Sequence, residues 1–339
     1  MKLRIGVVGL GNAWEARHRP ALRALADRFE VRAICEEVAL LADQAAQEFD
    51  ATAVDGFRAL TAREDIDAVL LLADQWYGAL PILAACQLGK AIYCATSSQI
   101  MPGQASEIKS CVEASGIAFM SEFPRRHAPA TLRLKELIAT RLGQPQLLFC
   151  HLRSTRKPAS DKKEHQEYLE HELLELVDWC RYIVGQEAIS VAGIRHGSLN
   201  THSSEHACDY QMMSIEFDQP RDACQPAMAQ ISVGDYIPSD WTEAIAFRAP
   251  AAMQIHCENG IAFVDLPSTL IWFDEAGRHL ESLDSERPIG EHLLCQFHRS
   301  VTSLVQNTSS LEDTFRALSI VTATQSSYRE GRRIILDFN

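Results

Sequence analysis

Residues 3–9, LRIGVVG, form an unbroken apolar run ending in glycine, the pattern of a strand buried on both faces that feeds a tight turn. Helical spacing follows over Trp14–Phe29, with Ala21, Leu22, Leu25 and Phe29 on one side. Glu30–Cys35 predicts a second strand, stopped by acidic residues. LLADQAAQEF predicts a helix, VDGFRAL a short element and DIDAVLLLA another buried strand. Leu80–Leu88 predicts a helix closed by Gly89. AIYCATS and GIAFMSEF predict two further strands. Strand and helix alternating at this spacing build βαβ units, hence an α/β fold with a doubly wound parallel sheet.

The texture changes after about residue 122. A helix is predicted from Pro129 to Thr140, a strand in QPQLLFCHLRS, a polar loop over 155–167 and a helix over Tyr168–Val184. ISVAGIR, YQMMSIEF, MAQISVGDY, EAIAFRA, MQIHCENGIAFVDL and STLIWFD then alternate with period two. That pattern predicts one broad, open antiparallel sheet with helices on one face, an α+β domain. A helix over Leu311–Tyr328 and an RRIILDF strand end the chain. The expected division is a domain over 1–122 and a second over 123–339, with the C-terminal helix packing back on the first.

At 339 residues the chain exceeds one ordinary core, which agrees with two domains. A net charge of −13 disfavours nucleic acid and anionic membranes as partners. Ten cysteines lie mostly in apolar runs without any Cys-x-x-Cys pair, so disulfides and structural zinc are not expected. The chain opens directly on the first strand and holds no apolar run of about 18 residues, so a cytoplasmic location is expected.

Gly9 and Gly11 form G-x-G straight after the first strand. The first glycine suits a tight turn, and the second lets backbone approach a pyrophosphate at a helix N-terminus. Asn12 and Ala13 complete that turn as candidate cofactor contacts. The third small residue of the fingerprint is replaced by Trp14, and one inserted residue would bring Ala16 to that role. Glu36 and Glu37 end the second strand where a ribose-binding carboxylate belongs, which favours NAD over NADP. Ala73, Gln75, Trp76 and Thr96, at the C-terminal ends of two strands, are further candidate cofactor contacts. A strand–turn–helix without ligand is the alternative reading.

GLGNAWEARHRPALRAL, DIDAVLLLA, GKAIYCATS, FPRRHAPATLRLKELI, ELVDWCRYIVG and LEDTFRALSIV, in that order, resemble the Gfo/Idh/MocA oxidoreductases over nearly the whole chain. The resemblance implies an N-terminal Rossmann domain, a C-terminal domain with an open antiparallel sheet, and dimers or tetramers formed through that sheet. It implies hydride transfer between a sugar carbon and nicotinamide. The chain departs from the family where chemistry lives. Ala95, Thr96 and Ser97 stand where the family carries Glu-Lys-Pro, so Thr96 replaces the charged lysine. Ala73–Gly78 replace a Thr-Pro-x-x-x-x-His-like segment. The helical His-x-x-Asp motif aligns with Glu175 and Asp178.

Glu175 is therefore a candidate base, provided an apolar setting raises its pKa. His171, Glu175 and Asp178 share one helical face and are the candidate catalytic set with Thr96. Such a stripe can also bind a divalent metal, but the second histidine of a zinc helix is missing and no metal is expected; His151, His165, His202 and His206 would have to complete the shell. Arg125 and Arg126 align with a family segment bordering the substrate cleft, and with Tyr168 and Trp76 they are the candidate substrate contacts. An inter-domain salt bridge is the alternative for the arginines. Arg153, Arg156 and Lys157 offer a further basic group, and Trp76 and Tyr77 a stacking surface. Three functions stay open: an NAD-dependent oxidoreductase on a sugar, polyol or related cyclic hydroxyl compound; a redox-silent nucleotide- or sugar-binding homologue; and a lyase or hydrolase with an acidic or metal-assisted site.

Overall fold

The computed structural model describes residues 1–11, 13–73, 77–95, 102–155, 162–198, 207–219, 225–238, 240–241, 243–244, 247, 251–283, 287–303 and 309–338. Two compact units emerge: Met1–Pro124 with Arg287–Phe315, and Arg125–Glu286 with Arg316–Asn339.

The first unit holds a six-stranded parallel sheet, β1 (Leu3–Val8), β2 (Phe29–Cys35), β3 (Thr52–Ala53), β4 (Ala68–Leu71), β5 (Ala91–Cys94) and β6 (Phe119–Ser121), in the order β3-β2-β1-β4-β5-β6. This is the strand order of dinucleotide-binding sheets. Strand alternation covers both faces. Leu3, Ile5 and Val7 join a core with Leu22 of α1 (Arg19–Ala24) and Leu293, Leu294 and Phe297 of α8 (Ile289–Thr302). On the opposite face, Gly6 leaves room for Leu60 of α3 (Phe57–Thr61). α2 (Ala39–Phe49) and α4 (Leu80–Gln87) complete the crossovers that the pattern predicts, with Gly89 at φ 66° after α4.

Three elements depart from expectation here. The Trp14–Phe29 helix is broken into a π-turn, Trp14–His18, and α1, so Phe29 begins β2. α5 (Pro102–Ser115) lies in a stretch the pattern left unassigned; it buries little beyond Ile108 and Val112, one turn apart, and its other positions are polar or small. α8 was likewise unassigned, although Leu293, Leu294 and Phe297 have helical spacing.

The second unit is built on nine strands: β7 (Pro145–Thr155), β8 (Ala188–Ser198), β9 (Ala207–Phe217), β10 (Met228–Ile237), β11 (Met253–Cys257), β12 (Gly260–Asp265), β13 (Thr269–Asp274), β14 (Gly277–Ser282) and β15 (Ile334–Ile335). Their order is β14-β13-β12-β11-β7-β10-β9-β8-β15. The sheet is mixed rather than wholly antiparallel, because β7 and β10 run parallel. Period two reports which residues face the core and carries no information on strand direction. α6 (Pro129–Leu137) and α7 (Lys162–Val184) cover one face, tied by Trp179 Nε1 donating to Thr131 Oγ1 at 3.0 Å. The C-terminal half of α9 (Ser309–Glu330) meets β8, where Ser327 Oγ accepts from the Gly193 N–H at 2.9 Å.

α6 ends at Leu137 and passes into a π-turn over Ile138–Leu142. α7 begins at Lys162, inside the predicted loop, because polar residues continue a helix as readily as they form a coil. Glu243 and Ala244, expected in a strand, lie in a helical turn. β14, an edge strand with alternate half-buried and exposed positions, was not predicted. Among the described residues no helix is long and apolar enough to cross a membrane.

Candidate functional site

Gly9, Gly11, Ala13, Glu36 and Ala73 come together at the C-terminal ends of β1, β2 and β4. Gly9 and Gly11 have φ of 70° and 67°, a region open to glycine but strained for other residues. A Cβ on Gly9 would stand 2.6 Å from the Ala73 carbonyl oxygen, and one on Gly11 would collide with the Leu72 carbonyl. The glycine spacing thus serves close packing on the neighbouring strand as well as the turn. Glu36 is half-buried, and its Oε2 accepts from the Leu10 N–H at 2.7 Å, while Glu37 is exposed. Glu36 is therefore the acid that β2 delivers to the turn. Asn12, Gln75, Trp76 and Thr96 lie outside the described residues.

The inserted residue anticipated after the turn takes the form of the π-turn, in which Arg17 and His18 N–H groups both donate to the Ala13 carbonyl, at 2.9 and 3.2 Å. The expected role for Ala16 is not seen: Ala16 is exposed, and Trp14 is buried with its ring 5.8 Å from that of Phe49.

The π-turn also delivers a buried network that pattern reasoning missed. His18 is 2% exposed, and its Nε2 is 2.7 Å from Glu122 Oε2. Tyr93 Oη donates to the same oxygen at 2.7 Å, and Arg17 pairs with Glu122 Oε1. Burial, with the Arg17 charge adding to it, pushes His18 down to about 3, and burial pushes the Tyr93 phenol up. A neutral His18 donating from Nε2 leaves its buried Nδ1 without a hydrogen-bond partner. A histidine on the apolar side of a helix, one turn before Leu22, was the available signal.

In the second unit α7 presents His171, Glu172, Glu175 and Asp178 to the turn carrying Arg125 and Arg126. Arg126 grips Asp178 through both Nε, at 2.6 Å from Oδ2, and Nη2, and its guanidinium lies 5.1 Å from the Tyr182 ring centre. Arg125 pairs with Glu172 and Glu175, and His171 Nε2 lies 3.1 Å from Glu175 Oε1. These are salt bridges within one unit, not between domains. Glu175 is buried as expected, but against a guanidinium rather than in an apolar pocket. Burial opposes the Arg125 charge, but Glu175 and Glu172 outweigh it and raise its pKa. Burial likewise opposes charging of His171, yet the hydrogen bond and charge of Glu175, with the charge of Glu172, raise it above the ordinary imidazole value. Tyr168, one turn before Glu172, is exposed.

His151 Nδ1 is 2.6 Å from Ser232 Oγ, across the β7–β10 pair. Arg153 is half-buried on β7; Arg156, Lys157, the His165 side chain, His202 and His206 lie outside the described residues. Among the described residues no group of three His, Cys, Asp or Glu is placed to hold a metal ion.

Residues 3–123 match a family described as "Oxidoreductase family, NAD-binding Rossmann fold". Solved structures share the fold over the full length. An "NAD binding oxidoreductase" from Klebsiella pneumoniae superposes with a TM-score of 0.82 at 15% identity, covering 100% of both chains. A "putative myo-inositol dehydrogenase" from Sinorhizobium meliloti 1021 gives 0.77 at 18% identity over 99% of this chain and 100% of the other. A "putative nadph-dependent oxidoreductase" from Desulfitobacterium hafniense gives 0.80 at 15% identity over 99% and 98%.

Proposed function

We propose that this chain, whose residues 3–123 match the Gfo/Idh/MocA oxidoreductase family, binds NAD and oxidises a sugar, polyol or related cyclic hydroxyl compound. The observation carrying this reading is Glu36, fixed on the Leu10 N–H at 2.7 Å beside two glycines of positive φ. That arrangement fits the cofactor: two glycines in the turn let backbone approach a pyrophosphate, and the carboxylate accepts from ribose hydroxyls while repelling a 2′-phosphate. Gly9, Gly11, Asn12 and Ala13 would hold the pyrophosphate, Glu36 the adenosine ribose, and Ala73, Gln75, Trp76 and Thr96 the remaining length. Bound NAD supplies the hydride acceptor. Arg125, Arg126 and Tyr168 would face the substrate.

Calorimetry with NADH and NADPH tests the reading. NADH is expected to bind more tightly, and Glu36→Ala to weaken NADH by about tenfold, the loss of one charge-assisted hydrogen bond. Binding of neither coenzyme, or a preference for NADPH, overturns it. Turnover is then measured with NAD on a panel of cyclic polyols and sugars that includes myo-inositol.

A redox-silent binding protein is the second reading, favoured by the arginine pairs that hold Glu175 and Asp178. NADH binding without turnover on any panel member supports it. We further propose a homo-oligomer formed through the open face of the nine-stranded sheet. Phe273, Ile261, Leu147 and Met228 are exposed there along one cross-strand row, broken only by His256. Light scattering of a monomer at micromolar concentration would refute that.

A further inference from the structure

We infer that Cys86 and Cys111 form a redox-active dithiol on the first unit, open to hydroperoxides and closing to a disulfide that joins α4 to α5. It requires neither the coenzyme nor the substrate proposed above. The sequence holds no Cys-x-x-Cys pair, and the fold brings thiols together across elements instead. Two such pairs occur among the described residues, and they differ in exposure. Cys150 on β7 and Cys180 on α7 have sulfurs 3.6 Å apart, and both are fully buried. Cys86, near the end of α4, and Cys111, near the end of α5, meet where the two helices pack side by side, and their thiols share a hydrogen bond. Cys86 is buried beneath a half-buried Cys111, so only this second pair reaches the surface. Ser115, a further hydrogen-bond partner of Cys86, lines a cavity of about 560 Å³ together with Val112, the residue after Cys111. Ala91 and Phe119, which begin β5 and β6, line it too, so it opens at the end of the sheet opposite the glycine turn. That volume exceeds many times the share of a water-sized molecule.

Position gives the two thiols different roles. Burial, with Cys111 adding to it, pushes the Cys86 thiol up to about 12, so it stays protonated near neutral pH. The first attack therefore falls to Cys111, the thiol that solvent reaches. Its thiolate attacks one oxygen of hydrogen peroxide. An S–O bond forms, the O–O bond breaks, and the departing hydroxide takes up the proton that Cys111 released. Cys111 is then a sulfenic acid with a second thiol in contact, the arrangement that condenses to a disulfide. The Cys86 sulfur attacks the Cys111 sulfur, the S–S bond forms and the S–O bond breaks. The hydroxide that leaves accepts the Cys86 proton as a second water. Two thiols are thus oxidised to one disulfide while one peroxide is reduced to two waters. Cys150 and Cys180 offer the same bond-forming contact, but a peroxide reaches them only when α7 opens from β7.

Peptide mapping of the full chain after peroxide treatment tests this. The reduced protein is exposed to millimolar hydrogen peroxide at neutral pH, quenched and unfolded, and its free thiols are alkylated. Mass spectrometry without reductant is expected to find a Cys86–Cys111 linked peptide, lighter by two hydrogens than the separate peptides and lost on treatment with dithiothreitol. Cys150 and Cys180 are expected to be alkylated still. Cys86→Ser should abolish the link and leave Cys111 as a sulfenic acid that dimedone traps. Cys111→Ser should leave Cys86 a free thiol. Cys86→Ala serves if the serine variant does not fold. Absence of the Cys86–Cys111 link overturns the inference. So does a Cys150–Cys180 link that forms as fast, or a Cys86 oxidised at the wild-type rate in Cys111→Ser.

Discussion

Each unit sets a histidine against a glutamate, buried at His18 and partly exposed at His171, and the two rings respond in opposite directions. His18 is driven down to about 3, whereas His171 is raised. The glutamate contact alone does not decide the outcome. Near His18 there is one carboxylate, Glu122, and Arg17 already neutralises it, so burial dominates. Among the described residues, the hydrogen bond and charge of Glu175, with the charge of Glu172, outweigh burial and Arg125 at His171. At His18 burial prevails, and at His171 the hydrogen bond and charge of Glu175 prevail over it.

The sharpest way to break the contrast is to unbalance the charges. Arg126→Ala removes the guanidinium that grips both oxygens of the buried Asp178, and is expected to cost about 3–5 kcal/mol by urea denaturation. Arg126→Met combined with Asp178→Leu removes both charges and should recover most of that loss. If the single variant costs nothing, the pair does not hold α7 to the turn at Pro124–His127.

A smaller effect sharpens the contrast through pH. The His18 pKa is lower in the folded state than its unfolded value near 6.5, so the unfolded chain binds the extra proton. Stability is fully present above about pH 6.5 and is lost as pH falls toward about 3. The slope from this residue approaches about 1.4 kcal/mol per pH unit within that window. His18→Gln keeps an N–H donor for Glu122 and should flatten the dependence. An unchanged slope would show that another group carries the acid sensitivity. The smallest effect is at the surface. Glu15, exposed and paired with Arg19 one turn on, should change stability by less than about 0.5 kcal/mol as Glu15→Ala.

How much of this was legible in the residues depended on distance along the chain. β1, its glycine turn and the acid ending β2 are local patterns, and the apolar run, the positive-φ glycines and Glu36 agree with them. The helical face shared by His171, Glu175 and Asp178 is local too. What packs against that face is not: Arg125 lies 50 residues from Glu175, and His18 lies 104 residues from Glu122. No periodicity reports such pairs. The parallel partnership of β7 and β10 escaped for the same reason, since alternation records burial and not direction. α8 stands apart, because the helical spacing of Leu293, Leu294 and Phe297 is itself a local pattern.

The place of α8 in the first unit bears on how the chain acquires that structure during synthesis. Leu293, Leu294 and Phe297 close a core begun by Leu3, Ile5 and Val7, nearly three hundred residues earlier. A nascent chain exposes that face of its first sheet until α8 has been synthesised. Nucleotide-sheet strands emerge first yet are completed late, so their unfinished surface is where a chaperone would engage.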